Sequence, residues 1–116
     1  MGLDTSHDCW HGPYSSFMEW REELHRYTAP IREHTLSEAW EHHDYDGQYP
    51  INVLMNHSDC DGEIEHKDCK PLAEALQKIA DVMPQRAFYD RSKPATERFI
   101  AGLLLAHEKG ENVDFH

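Results

Sequence analysis

Residues 57–68 read HSDCDGEIEHKD and crowd metal-ligating side chains into one short stretch, with Cys69 directly after it. Carboxylate oxygens suit calcium, whereas imidazole nitrogen and thiolate sulfur suit zinc. The centre, D-x-D-G-x-I, matches the middle of an EF-hand loop. Asp59, Asp61, Gly62 and Ile64 take the third, fifth, sixth and eighth positions, and Glu65 takes the ninth. The ends depart from it: His57 offers nitrogen at the first position, and Asp68 has a shorter arm than the usual glutamate at the last. Pro50 leaves little room for an entering helix. The calcium ligands on this reading are Asp59, Asp61, Glu65 and Asp68.

A zinc reading uses the residues that spoil the calcium template. His57-x-x-Cys60 has a spacing that one turn can bring to a single ion, and Cys69 follows. Near the amino terminus, His7-x-Cys9-x-His11 places three ligand types at alternate positions. Were that segment extended, all three would share one face. The expected zinc ligands are His7, Cys9, His57, Cys60 and Cys69. Four protein ligands would make a structural site, and three plus water would permit hydrolysis with Asp59, Glu63 or Glu65 as base. The sequence leaves both open, and with them whether the protein is an enzyme. A third reading needs no metal: Asp61-Gly62 turns the chain, and the acidic residues that follow complement a helix dipole.

Other constellations carry less. Glu41-His42-His43-Asp44 reads as a solvated loop, and Trp10, Trp20 and Trp40 read as core. Arg91, within Tyr89-Asp90-Arg91, and Arg98 are the best anion-binding candidates, with salt bridges the blander use. Cys9 beside His7 and His11 could be a nucleophile, but nearness in sequence does not make a dyad. No Ser-His-Asp arrangement emerges around Ser15, Ser16 or Ser58.

The elements that must position these residues follow from periodicity. Apolar residues at helical spacing predict three main helices over about 13–28, 66–83 and 94–109. One or two short helices are expected near 35–42 and 50–55, the second of which could equally be a strand. A loop is expected at 85–93. Residues 3–11 are a short extended candidate, residues 112–116 are β-friendly, and a small pairing between 3–9 and 112–116 would be natural. The fold expected is one domain, mainly α, with a small β element from the chain ends.

Bulk properties narrow the partners. The 116 residues suffice for one modest core. Eleven basic against 22 acidic residues leave a net charge of −11, which argues against nucleic acid and anionic membranes. It suits cations, a small molecule or a basic protein. With no transmembrane stretch, no secretory leader and an odd number of cysteines, the expectation is a cytoplasmic protein with reduced thiols. Protonating all ten histidines would take the charge from −11 to −1. Solubility is therefore expected to be poorer near about pH 5.5 than near pH 8.

Three stretches together carry a resemblance: Gly2-Leu3-Asp4 with Ser6-His7-Asp8-Cys9-Trp10, then His57 to Ile64 with Cys69, and finally Phe99-Ile100, Gly102-Leu103 and Phe115-His116. They resemble a family of small uncharacterised proteins of bacteria and their phages, with residues 29–50 outside the match. The resemblance implies a bacterial or phage intracellular setting and supplies no catalytic residue. The two function classes carried forward are a metal-binding protein, zinc first and calcium as the alternative, and a metal-free acidic protein that sequesters a small ligand or a basic host protein.

Overall fold

Gly12-Pro13 closes a short strand and leads the chain into its first long helix. Strand β1 (Gly2–Asp4) and strand β2 (His11–Pro13) pair antiparallel, with Leu3 opposite Gly12 and Asp4 opposite His11. Helix α1 (Tyr14–Thr28) follows at once. The computed structural model describes residues 2–28, 33–83 and 92–116. Tyr89, Asp90 and Arg91, and most of the expected 85–93 loop, lie outside the described residues; Ser92 and Lys93 already belong to the last helix.

On α1, Phe17, Trp20 and Leu24 are buried as the stripe predicts, while Tyr14 and Tyr27 are only partly so. The polar residues Arg21 and His25 are buried too. His25 Nε2 donates to the His34 carbonyl at 2.7 Å, so its Nδ1 is the acceptor for the Tyr45 hydroxyl at 2.6 Å. Every polar atom of that ring is therefore satisfied.

Helix α2 (Leu36–Glu41) starts on a capping box in which Thr35 Oγ1 accepts from Glu38 N and the Glu38 side chain accepts from Thr35 N. The apolar run after Pro50 is a helix of one turn, α3 (Asn52–Met55), rather than a strand. Gly62, at φ +95, makes the bend in the opening stretch. A two-residue strand β3 (Glu63–Ile64) comes next, and α4 (His66–Val82) begins two residues later. The last helix, α5 (Ser92–Lys109), lies along α4, and Leu72, Leu76, Phe99 and Leu103 are fully buried among the packed helices. Each such side chain contributes about 1.5–3 kcal/mol by leaving water.

The carboxyl end closes the domain. Strand β4 (Val113–Asp114) pairs antiparallel with β3, and Phe115 bridges to Thr5. Asp4 and His116 exchange both backbone hydrogen bonds, at 2.9 and 2.8 Å. The chain is thus mainly α with a small β element from its ends. No helix among the described residues is long and apolar enough to cross a membrane.

Candidate functional site

The segment carrying His7, Cys9 and His11 is not one extended strand. Between β1 and β2 the chain makes a turn at Ser6–Asp8, with His7 and Asp8 both at φ +60. The alternate-position geometry that would align three ligands on one face is therefore absent. His7 packs between Ser6 Oγ (2.8 Å from Nδ1) and Glu111 Oε1 (2.8 Å from Nε2), and Glu111 is held below the usual carboxylate range by this hydrogen bond. Cys9 turns into the core against Gly102.

Of the other donors, Cys69 is buried, and its Sγ lies 3.5 Å from the Glu65 carbonyl. It stands close enough to Cys9 for a charge on one to be felt by the other. His57 and Cys60 do not join them. His57 packs on the Phe115 ring at 4.1 Å, and its nitrogens face the carbonyl oxygens of Ser58 (2.7 Å) and Glu63 (3.1 Å). Cys60 is exposed beside Ser58 Oγ. Desolvation pushes the Cys9 thiol up to about 12 and the Cys69 thiol to about 11, so neither supplies a thiolate nucleophile near neutrality.

The calcium set is also distributed. Only the four residues of α3 precede the loop as a helix. Asp68 accepts from the Tyr49 hydroxyl at 2.7 Å, and Glu65 pairs with Lys67 at 3.3 Å. Among the described residues no group of three or more His, Cys, Asp or Glu side chains is arranged to hold a metal ion. Glu41 ends α2, and His42-His43-Asp44 forms a turn in which His42 stacks on His34 at 4.5 Å and Asp44 pairs with His34.

A cleft of about 850 Å³ opens instead where β2, α1 and α5 converge. Trp10 and Trp20 stack at 5.1 Å, and both contribute to its wall. Trp20 Nε1 donates to Thr96 Oγ1 at 2.9 Å, whereas Trp10 Nε1 is sealed from solvent without a partner among the described residues. A charged network forms one side. His11 Nδ1 meets Asp4 Oδ1 at 2.8 Å and its Nε2 meets Asp8 Oδ1 at 2.7 Å. Arg98 Nη2 donates to the same Asp8 oxygen at 2.7 Å, and Arg98 Nε to the Asp8 carbonyl at 3.2 Å.

The electrostatic consequences are reciprocal. The Arg98 guanidinium, and after it His11, hold the Asp8 carboxyl below its ordinary range. Asp4 foremost, with Asp8, raises His11. With both ring nitrogens on carboxylates, His11 is a fixed, cation-favouring group and not a free base. Helix α1 adds Ser16, Glu19 and Glu23 to the lining. Sequence reasoning named Arg98 but missed the cleft, because its parts lie at positions 9–23 and 92–98. The available signal was the paired indoles of Trp10 and Trp20, read as core.

Comparison with protein-family models, with curated proteins and with solved structures returns no match.

Proposed function

We propose that this protein binds a small molecule in the cleft between β2, α1 and α5. The observation that carries the reading is the stacked Trp10–Trp20 pair, which walls a cleft edged by fixed charges. An aromatic surface with a few placed polar groups is the usual make-up of a ligand site. Binding suits this geometry better than catalysis, since His11 is engaged at both nitrogens and the Cys9 thiol is held protonated by burial.

The test is retention of a small molecule from a bacterial metabolite extract, read by mass spectrometry after washing and denaturation. The purified protein should retain a compound that also raises its melting temperature, and Ser16→Trp, which fills the cleft, should lose it. A compound retained equally by the filled variant, or none retained at all, overturns the proposal.

A zinc ion at Cys9 and Cys69 is the second reading, favoured by two buried thiols from segments sixty residues apart, the charge of Cys69 acting on Cys9. It requires His7 or His57 to leave the partners described above, or Cys60 to turn inward from the surface.

A further inference from the structure

Arg21 is a buried cation without a carboxylate. It is 2% exposed, and it makes no ion pair among the described residues. Its Nη1 donates to the carbonyls of Leu54 (3.3 Å) and His57 (2.8 Å), which end the short helix α3. Its guanidinium lies over the Phe17 ring at 4.6 Å and the Trp40 ring at 5.4 Å. Carbonyl dipoles and ring faces offset only part of the cost of burying a full charge, and burial accordingly lowers the Arg21 pKa.

The unsatisfied part of Arg21 is one edge. Nε is sealed from solvent without a partner, and among the described residues Nη2 has no hydrogen bond either. Nε is closed to a ligand, so Nη2 is the guanidinium atom left open to a carboxylate, through one charge-assisted hydrogen bond. Arg21 lines a second cleft, of about 640 Å³, separate from the first. Met18 and Trp40 give this cleft apolar wall, while Asp46 and Asp59 bring negative charge. Asp59 is near enough to act on the Arg21 charge without pairing to it, and Asp46 has only a 3.5 Å contact with His43.

We propose that the second cleft binds a small amino carboxylate, with Arg21 taking the carboxylate and Asp59, with Asp46, taking the ammonium group. A simple anion would satisfy Arg21 but meet both aspartates and a chain of net charge −11. A simple cation would leave the guanidinium edge as it is. A ligand carrying both charges answers both halves of the cleft, and Trp40 and Met18 fit the short apolar spacer between them.

The experiment uses the full chain labelled with ¹⁵N and titrated with acetate, ethylammonium, glycine and 4-aminobutyrate. The readouts are the Arg21 Nε–H and Trp40 indole signals, with the Trp10 indole signal as reporter of the first cleft. At least one amino carboxylate should shift the Arg21 and Trp40 signals saturably, about tenfold more tightly than acetate. Ethylammonium should leave Arg21 unmoved. Because changing Arg21 would uncap α3, the discriminating variant is Asp59→Asn, which should bring the amino carboxylate down to the affinity of acetate. Equal binding of acetate and amino carboxylates, no saturable shift with any probe, or an unchanged preference in Asp59→Asn overturns the proposal.

Discussion

Gly102 on α5 meets Cys9 so closely that a Cβ built at position 102 would collide with Cys9 Sγ and stand 2.8 Å from the His7 carbonyl. The missing side chain is what lets α5 press against the Ser6–Asp8 turn, and that turn sets the direction of β2 and its His11. Gly102→Ala is therefore expected to destabilise by about 1–3 kcal/mol through overpacking, despite the helix propensity it adds. Adding Cys9→Ala should restore part of the loss, because the sulfur is removed while the His7 carbonyl remains. Denaturant unfolding of the single and double variants checks this.

Trp20 and Thr96 tie α1 to α5 through a buried hydrogen bond of 2.9 Å, and the Thr96 hydroxyl in turn donates to the Ser92 carbonyl at 2.7 Å. Thr96→Val keeps the shape and removes the acceptor, leaving the indole N–H unpaired. The expected cost is about 1–3 kcal/mol. In a domain of this size that corresponds to a fall of several degrees in melting temperature. Thr96→Ser should retain most of the stability, and thermal unfolding of the two variants separates hydrogen bonding from packing.

Stability should depend on pH with a definite sign. His11 and His34 have raised values, caused foremost by hydrogen bonds to Asp4 and Asp44 respectively. Their contribution is fully present below about pH 6.5, the unfolded value, and is lost as pH rises through the higher folded value. Asp8, Glu38 and Glu111 have lowered values, caused foremost by Arg98, the Thr35 backbone and His7. Their contribution is present above about pH 4–4.5 and is lost as pH falls through the lower folded values. The melting temperature should therefore be highest at about pH 5–6.5 and decline toward both pH 3 and pH 8.5. His34→Gln should flatten the alkaline side of that profile.

The three cysteines should divide by accessibility. Cys60 is exposed, while Cys9 and Cys69 are buried with raised thiols. A thiol reagent on the native protein should label Cys60 quickly and the other two only after unfolding. Elemental analysis of protein purified without a nickel column tests the zinc reading on the same samples. About one equivalent of zinc, lost together with melting temperature in Cys60→Ser, would support it. No stoichiometric zinc, with Cys60 freely reactive, would sink it.

What was local in the sequence was legible in it. The stripe of Cys69, Leu72, Leu76 and Ile79 specifies a helix because apolar side chains at that spacing fall on one face whatever lies opposite. Gly62 marks the bend before α4 because its φ of +95 is open to glycine at little cost. The meeting of the chain ends at Thr5 and Phe115 was visible in outline, but the ladder partners, β2 for β1 and β3 for β4, were not. Arg21 was visible only by position, four residues after Phe17 and three before Leu24, and its charge obscured the burial that this spacing implied.

Tertiary structure decided where the chemistry could meet. His7 lies in a turn rather than a strand because Ser6 Oγ accepts from Asp114 N and His7 reaches Glu111, contacts that exist only once the carboxyl end has docked. Phe115 likewise takes up the face of His57, and its own N–H donates to the Gly62 carbonyl. Side chains near one another in HSDCDGEIEHKD are sent to different neighbours by this packing, while Trp10, Trp20 and Arg98 are gathered into one cleft. Ligand-like spacing along a chain constrains one segment. A site needs the relative placement of several, and the burial of the core around them fixes that placement.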